Sequence, residues 1–346
     1  MKTINTILYL SLILITFSGC DSNEDNDPST SCNANFYTIT SSHWDSATAV
    51  FDVVKYQKSD VLSTPSMLSS NNNFNSVSGI LSLVQSAINT NINKIAYLFP
   101  NHPDLYQLDI NTNVMSISTV PNGGLNPEYA NNNLFFLKTN NTTSSSGYLQ
   151  SGDCTVIDNS ANDVSQIFTN IDFSNSGVYD RQFFSSTSNN QDKFYYLANT
   201  KLIIYNKLTD TWNDYLLETY NETTNKIMIK GLEYVNDNTL YALKGNLTDS
   251  NNITLELIKI DLTGGTPQMS VIRDLTYSLS VTPSDIFLGG NANFINSSYD
   301  TCDDNYYFTT SDASNLNSII FEIKNITNII NEYPVNGKIL YGLDIE

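Results

Sequence analysis

The sequence predicts an all-β chain of about six short four-stranded sheets, set in a ring that its own two ends close. Three observations carry this expectation. A short aromatic strand recurs six times, and an apolar strand running into a Thr-containing turn recurs behind it. One inner-strand pattern also stands alone at the C-terminus, with nothing following it. No window sustains the i, i+3, i+4, i+7 apolar stripe of a helix.

The aromatic strand occurs as Phe36-Tyr37-Thr38-Ile39, Ala96-Tyr97-Leu98-Phe99, Phe135-Phe136-Leu137, Tyr195-Tyr196-Leu197, Leu240-Tyr241-Ala242-Leu243 and Tyr306-Tyr307-Phe308. The second element is clearest at Leu105–Asn113, Ile203–Asp210, Leu257–Gly264 and Ile320–Asn328, with weaker copies at Ala49–Tyr56 and Gly147–Gly152. Asp, Asn and Thr suit these turns because their side chains hydrogen-bond the local backbone. Six aromatic strands over residues 34–346 give about 52 residues per repeat, the size of a propeller blade.

The ends of the chain supply the closure. The pattern Ile229-Lys230-Gly231-Leu232-Glu233-Tyr234 precedes the fifth aromatic strand, and Leu340-Tyr341-Gly342-Leu343-Asp344-Ile345 repeats it at the terminus. The first repeat starts at its aromatic strand and lacks an inner one. The orphan strand and the missing strand complete each other, which resembles the strand-exchange closure of β-propellers. Such closure removes open sheet edges. The expected fold is a six-bladed β-propeller, with seven blades if residues 178–225 divide differently and a pair of β-sandwiches as the competitor. Gly289-Gly290 and Trp212 are similar to kelch elements, but neither recurs in every blade.

The chain has 346 residues, 16 basic and 35 acidic side chains, and a formal net charge of −19. That balance speaks against nucleic acid, whose phosphates need a basic footprint. Hydrophobic residues at 40% support a real core, while the 48 asparagines are roughly double ordinary usage.

At the N-terminus, Lys2 precedes an apolar run from Ile4 to Phe17, too short to span a bilayer but suited to a secretory signal. Phe17-Ser18-Gly19-Cys20 resembles the bacterial lipobox, with Phe17 in place of the usual aliphatic residue. The resemblance implies a signal peptide at 1–19, lipidation of Cys20 and a membrane anchor. Residues 20–33 read as an acidic flexible tether, and 34–346 as the propeller. Asp21-Ser22-Asn23-Glu24-Asp25-Asn26-Asp27 is similar to the export signal of surface lipoproteins of the Bacteroidota. The expected location is the outer membrane, on its periplasmic or cell-surface side.

Residues with chemistry are few. His43-Trp44-Asp45 and His102-Pro103-Asp104 follow the first two aromatic strands, so both fall in loops between second and third strands of adjacent blades. Asp312 occupies the matching loop of blade 6. Imidazole with carboxylate suits a divalent metal or acid–base work, and Trp44 suits stacking on a flat ligand. A local hydrogen bond that orders a polar loop is the alternative for each His-x-Asp. No cofactor is implied beyond that metal. Cys32 and Cys302 each stand four residues before an aromatic strand, in blades that neighbour across the closure, and are candidates for a disulfide. The expected function is binding of a protein or glycan partner at the envelope, as a monomer or as a subunit of an envelope complex. A propeller hydrolase or lyase and a structural accessory subunit are the alternatives.

Overall fold

The computed structural model describes residues 35–41, 51–58, 66–71, 84–99, 104–120, 123–178, 184–249, 252–287, 295–312, 315–324 and 329–345. The chain divides after Asn33, and Ala34–Glu346 forms the ring. The ring has six antiparallel four-stranded sheets, which settles the blade count at six.

Blade 1 joins β1 (Asn35–Ser41), β2 (Phe51–Gln57) and β3 (Ser66–Asn71) to the last strand, β24 (Ile339–Ile345). Blade 2 holds β4 (Gln85–Asn89), β5 (Lys94–Leu98), β6 (Asp104–Asp109) and β7 (Val114–Thr119). Blade 3 holds β8 (Leu125–Ala130), β9 (Asn133–Thr143), β10 (Leu149–Asp158) and β11 (Phe168–Asp172). Blade 4 comprises β12 (Phe184–Ser188), β13 (Lys193–Ala198), β14 (Lys201–Asn206) and β15 (Thr211–Leu216). Blade 5 comprises β16 (Ile227–Asn236), β17 (Thr239–Asn246), β18 (Thr254–Asp261) and β19 (Gln268–Asp274). Blade 6 comprises β20 (Ser297–Asp300), β21 (Asn305–Asp312), β22 (Asn317–Lys324) and β23 (Ile330–Asn336). A five-residue helix, α1 (Pro283–Phe287), packs Ile286 and Phe287 between blades 5 and 6. Among the described residues no helix is long and apolar enough to cross a membrane.

The aromatic strands are the second strands of the blades, and the strand period explains their composition. Successive side chains point to opposite faces, and each face of a blade is covered by a neighbour. Both parities must therefore be apolar. Phe36 packs between blades 6 and 1 while Tyr37 packs between 1 and 2. Tyr196 serves the interface of blades 3 and 4, Tyr195 that of 4 and 5, Tyr306 that of 5 and 6, and Tyr307 the closing one. Outer strands such as β7 and β19 stay largely exposed.

Asparagine's abundance has a backbone cause. Among the described residues, eight of the twelve non-glycine positions with positive φ are asparagines. Asn tolerates the left-handed region better than other residues with a Cβ, so it serves turns where glycine is usual. The Thr-containing turns also behave as their composition implies. Asp109 accepts from Thr112 N at 3.0 Å, Asn206 from Leu208 N at 2.9 Å, and Asp261 from Thr263 N at 2.9 Å.

The seam that closes the ring lies within blade 1, where β24 meets β1, pairing Phe36 with Ile345 and Ser41 with Ile339. Blade 6 packs against it, and Phe36 and Tyr307 meet edge to face at 5.1 Å across that interface. Beside them lies a charged network. Lys58 Nζ reaches Asp303 (2.5 Å), Asp300 (3.4 Å) and Glu322 (3.5 Å). Glu322 is 1% exposed and accepts from Tyr307 (2.6 Å), Tyr333 (2.7 Å), Asn305 (3.0 Å) and Asn331 (2.5 Å). Burial alone would push Glu322 up, but the Tyr307, Asn331 and Tyr333 bonds and the Lys58 charge outweigh it and hold the carboxyl below its ordinary value. Cys302, in the same turn as Asp303, is disulfide-bonded. Its expected partner Cys32 lies outside the described residues. Cys154 is a free, buried thiol that packs as a small apolar side chain.

Glu322→Ala leaves the Tyr307, Tyr333, Asn305 and Asn331 donors without their shared acceptor, while Lys58 keeps Asp303 and Asp300, so it should cost about 3 kcal/mol or more of unfolding free energy. Lys58→Met leaves Glu322 its four neutral donors and should cost clearly less. Chemical denaturation of both variants checks the order.

Candidate functional site

The six inner strands surround a cavity of about 340 Å³ on the ring axis. Its walls are hydroxyls, amides and three carboxyls: Glu128 from blade 3, Glu233 from blade 5 and Asp344 from blade 1. The acids thus come from alternate blades, and one backbone device presents all three.

In β8, β16 and β24 the ladder to the second strand shifts register, at Leu125/Glu128, at Lys230/Glu233 and opposite Tyr37/Ile39. Two residues before each acid stands a left-handed residue: Asn126 (φ 51°), Gly231 (φ 66°) and Gly342 (φ 73°). A bulge inserts an extra residue and re-aims the side chains after it. Here it brings a carboxyl to the cavity wall three times over.

The even blades keep regular registers and answer with a hydroxyl each. Ser86 of blade 2 stands beside Asp344 and Ser186 of blade 4 beside Glu128, each hydroxyl favouring the charged carboxyl, and Ser297 of blade 6 donates to Glu233 at 2.5 Å. The residue before each serine caps the next bulge. Gln85 Oε1 accepts from Asn126 N at 2.7 Å, and Ser185 Oγ accepts from Gly231 N at 3.1 Å. Asn296, its amide oxygen turned toward Gly342 N (3.1 Å), completes the set while donating to Val84 O (3.2 Å). A tyrosine on each even second strand stands close enough for the nearby carboxyl to raise it further: Tyr97 by Asp344, Tyr196 by Glu128 and Tyr306 by Glu233. Tyr306 donates to Gly231 O at 2.6 Å, whereas the buried Tyr97 and Tyr196 hydroxyls have no partner. The site is a pseudo-threefold ring of acid, serine and tyrosine.

Burial dominates its electrostatics. Desolvation raises the Glu128 and Glu233 carboxyls to about 8 and Asp344 to about 7, with mutual repulsion among the acids adding to the glutamates. Glu128 is 7% and Asp344 5% exposed, while Glu233 keeps more of its surface open to the cavity. Lys230 also lines the wall, and burial lowers it to about 8. The three carboxyls do not converge as ligands of one ion: no group of three His, Cys, Asp or Glu among the described residues could hold a metal. The arrangement can bind a small polar molecule, protonate it, or exchange a proton with it.

His43, Trp44, Asp45 and His102 are outside the described residues. Asp104 opens β6 beside Tyr106, whose phenol burial and then the Asp104 charge push up to about 12. Asp312 ends β21 and accepts from Asn315 N and Nδ2 at 3.3 and 2.6 Å, a local turn. Neither lines the axial cavity. Thr90, Asn91, Asn190 and Thr301, just past the C-terminal ends of β4, β12 and β20, rim the cavity on one face. Asn126-x-Glu128, Gly231-x-Glu233 and Gly342-x-Asp344 were the signal available in the sequence.

Raised carboxyls set the pH dependence of stability. From about pH 4 to 8 the folded state keeps protons that the unfolded chain has lost, so stability falls as pH rises. Thermal unfolding should occur at its highest temperature near pH 5 and several degrees lower by pH 9. Glu233→Gln should flatten that slope in a pH series. Gly231→Ala would force a Cβ to 2.5 Å from Tyr306 Oη at positive φ and should cost about 1–2 kcal/mol or more, read by denaturation.

No family model and no curated protein matches the sequence. Solved structures do resemble it in architecture. AztD from Citrobacter koseri aligns over 91% of this chain and 98% of its own, at 11% identity and a TM-score of 0.40. Regucalcin from Agrobacterium tumefaciens, a calcium-binding protein, aligns over 77% and 79%, at 11% identity and a TM-score of 0.44. An oligogalacturonate lyase in complex with manganese aligns over 86% and 77%, at 8% identity and a TM-score of 0.45.

Proposed function

We propose that this chain is a binding propeller of the bacterial cell envelope, anchored through a lipid on Cys20 and taking its ligand in the axial cavity. The observation that carries the reading is the cavity itself. At about 340 Å³ it falls at the small end of ligand sites, and its wall is built of acids and hydroxyls held by inter-blade hydrogen bonds. Such a wall suits a small polar molecule or the polar tip of a glycan or protein partner. The disulfide-bonded Cys302 supports an oxidising compartment, and Cys32 is the partner we assign to it. The lipobox-like Phe17–Cys20 segment and the acidic stretch after it support outer-membrane placement, facing the periplasm or the surface.

A hydrolase or lyase reading draws on the same carboxyls, since acids held near 7 and 8 in one cavity can serve as general acid and base. Turnover of a glycoside or uronide that disappears in Glu233→Gln would favour it over binding alone.

Two measurements test the proposal. Ser186→Trp fills the cavity, so a ligand that raises the unfolding temperature of the wild type should leave this variant unmoved. An equal shift in both would remove the ligand from the channel. Cys20→Ser should move the protein from the membrane to the soluble fraction on cell fractionation; unchanged membrane association would overturn the anchor.

A further inference from the structure

We infer that the axial cavity is built for an aliphatic amine, which carries its charge as ammonium groups set against Glu128, Glu233 and Asp344. The inference deepens the channel-binding reading and rests on it.

Four observations lead to this ligand class. The wall holds three carboxyls against one lysine, Lys230, so its fully ionised state carries excess negative charge. One carboxylate oxygen, Asp344 Oδ2, lies in a residue only 5% exposed on the cavity wall and accepts no hydrogen bond. A buried acceptor without a donor is costly, and a donor brought by a ligand would remove that cost. The acids are distributed around the wall and do not meet at one point suited to a metal ion. An ammonium group suits dispersed acceptors because its three N–H bonds diverge, and a di- or polyamine reaches acceptors set apart along a channel. Neutral hydroxyl ligands would satisfy the serines but leave the carboxyl charge unanswered.

Charge balance gives the binding step its signature. Near neutral pH the empty cavity holds protons on its acids, because burial disfavours their charged forms. When an ammonium group enters, each carboxyl that ionises releases its O–H proton to solvent, and the ligand keeps its own protons and charge. No covalent bond to the ligand forms or breaks. The groups facing these acids are Lys230, the serine hydroxyls and the phenols of Tyr97, Tyr129, Tyr196 and Tyr306. The phenols are all shifted upward and stay neutral over the same range. Lys230 loses its own proton near pH 8, which adds room for an incoming cation on the alkaline side.

The test is calorimetric titration of the purified protein with putrescine and spermidine, beside glucose and calcium chloride, at pH 6, 7 and 8. The expected result is saturable amine binding that tightens tenfold or more from pH 6 to 8. Its heat should vary with the ionisation enthalpy of the buffer, as proton release requires. Glu233→Gln and Asp344→Asn should each weaken it at least tenfold while unfolding cooperatively, and Ser186→Trp should abolish it. Amine binding that ignores pH and both carboxamide variants overturns the inference. So does the absence of amine binding, or calcium or glucose binding in preference. If calcium or glucose binds and Ser186→Trp blocks it, the channel reading survives without the amine. If whatever binds is indifferent to Ser186→Trp, the channel reading falls as well.

Discussion

The whole ring depends on one pairing, that of β24 with β1. Every other blade is a contiguous stretch of chain whose strands meet through short turns. Blade 1 alone recruits its inner strand from the far terminus, so its ladder closes a loop of some 300 residues. Loop-closure entropy grows only slowly with length, but it must be offset at this one seam. The seam is equipped accordingly, with an apolar cluster from Phe36 to Ile345, a buried carboxylate holding four donors and a lysine, and a disulfide-bonded Cys302. The axial cavity needs all six inner strands to have a wall. A strand that finishes the fold therefore also delivers the third acid of the site, Asp344.

That economy explains a polar interior in a β protein. A ring of six sheets must leave an axis that side chains cannot fill evenly, and the inner strands leave polar residues there. Polar groups buried together are tolerable only when they satisfy one another. The alternation of bulged and regular strands achieves this. Each bulge frees a backbone N–H and re-aims a carboxyl; the regular strand on one side supplies an acceptor for the first, and the regular strand on the other side a hydroxyl for the second. Asp344 Oδ2 and the hydroxyls of Tyr97 and Tyr196 remain unsatisfied beside that ring of acids.

Much of the architecture was legible in the chain because it follows from local pattern. A strand covered on both faces must be apolar at successive positions, so the six aromatic segments identified the second strands. The repeated inner-strand motif at Ile229 and Leu340 identified the closure. The site was less legible for a physical reason. Histidines and acids close together in sequence mark a site locally, whereas the ring gathers its acids from residues 128, 233 and 344, each unremarkable among 35 acidic residues. The motif that revealed closure already contained two of the three. The role of the glycine at its centre in aiming the acid two positions on depends on a bulge that composition alone does not announce. The third copy, Asn126-Pro127-Glu128, hides the glycine position behind an asparagine.

The alternation also sets the size of the unit from which the molecule is composed. One blade carries an acid without its hydroxyl, or a hydroxyl without its acid, so a single blade is not a self-consistent repeat. Two successive blades are. Blades 5 and 6, from Ile227 to Asn336, contain a complete acid–serine–tyrosine set together with the cap for the next bulge. The architecture is in this sense a trimer of double blades written on one chain. A change on one pair leaves the other two carboxyls in place, so the axis can lose its symmetry stepwise without losing its charge.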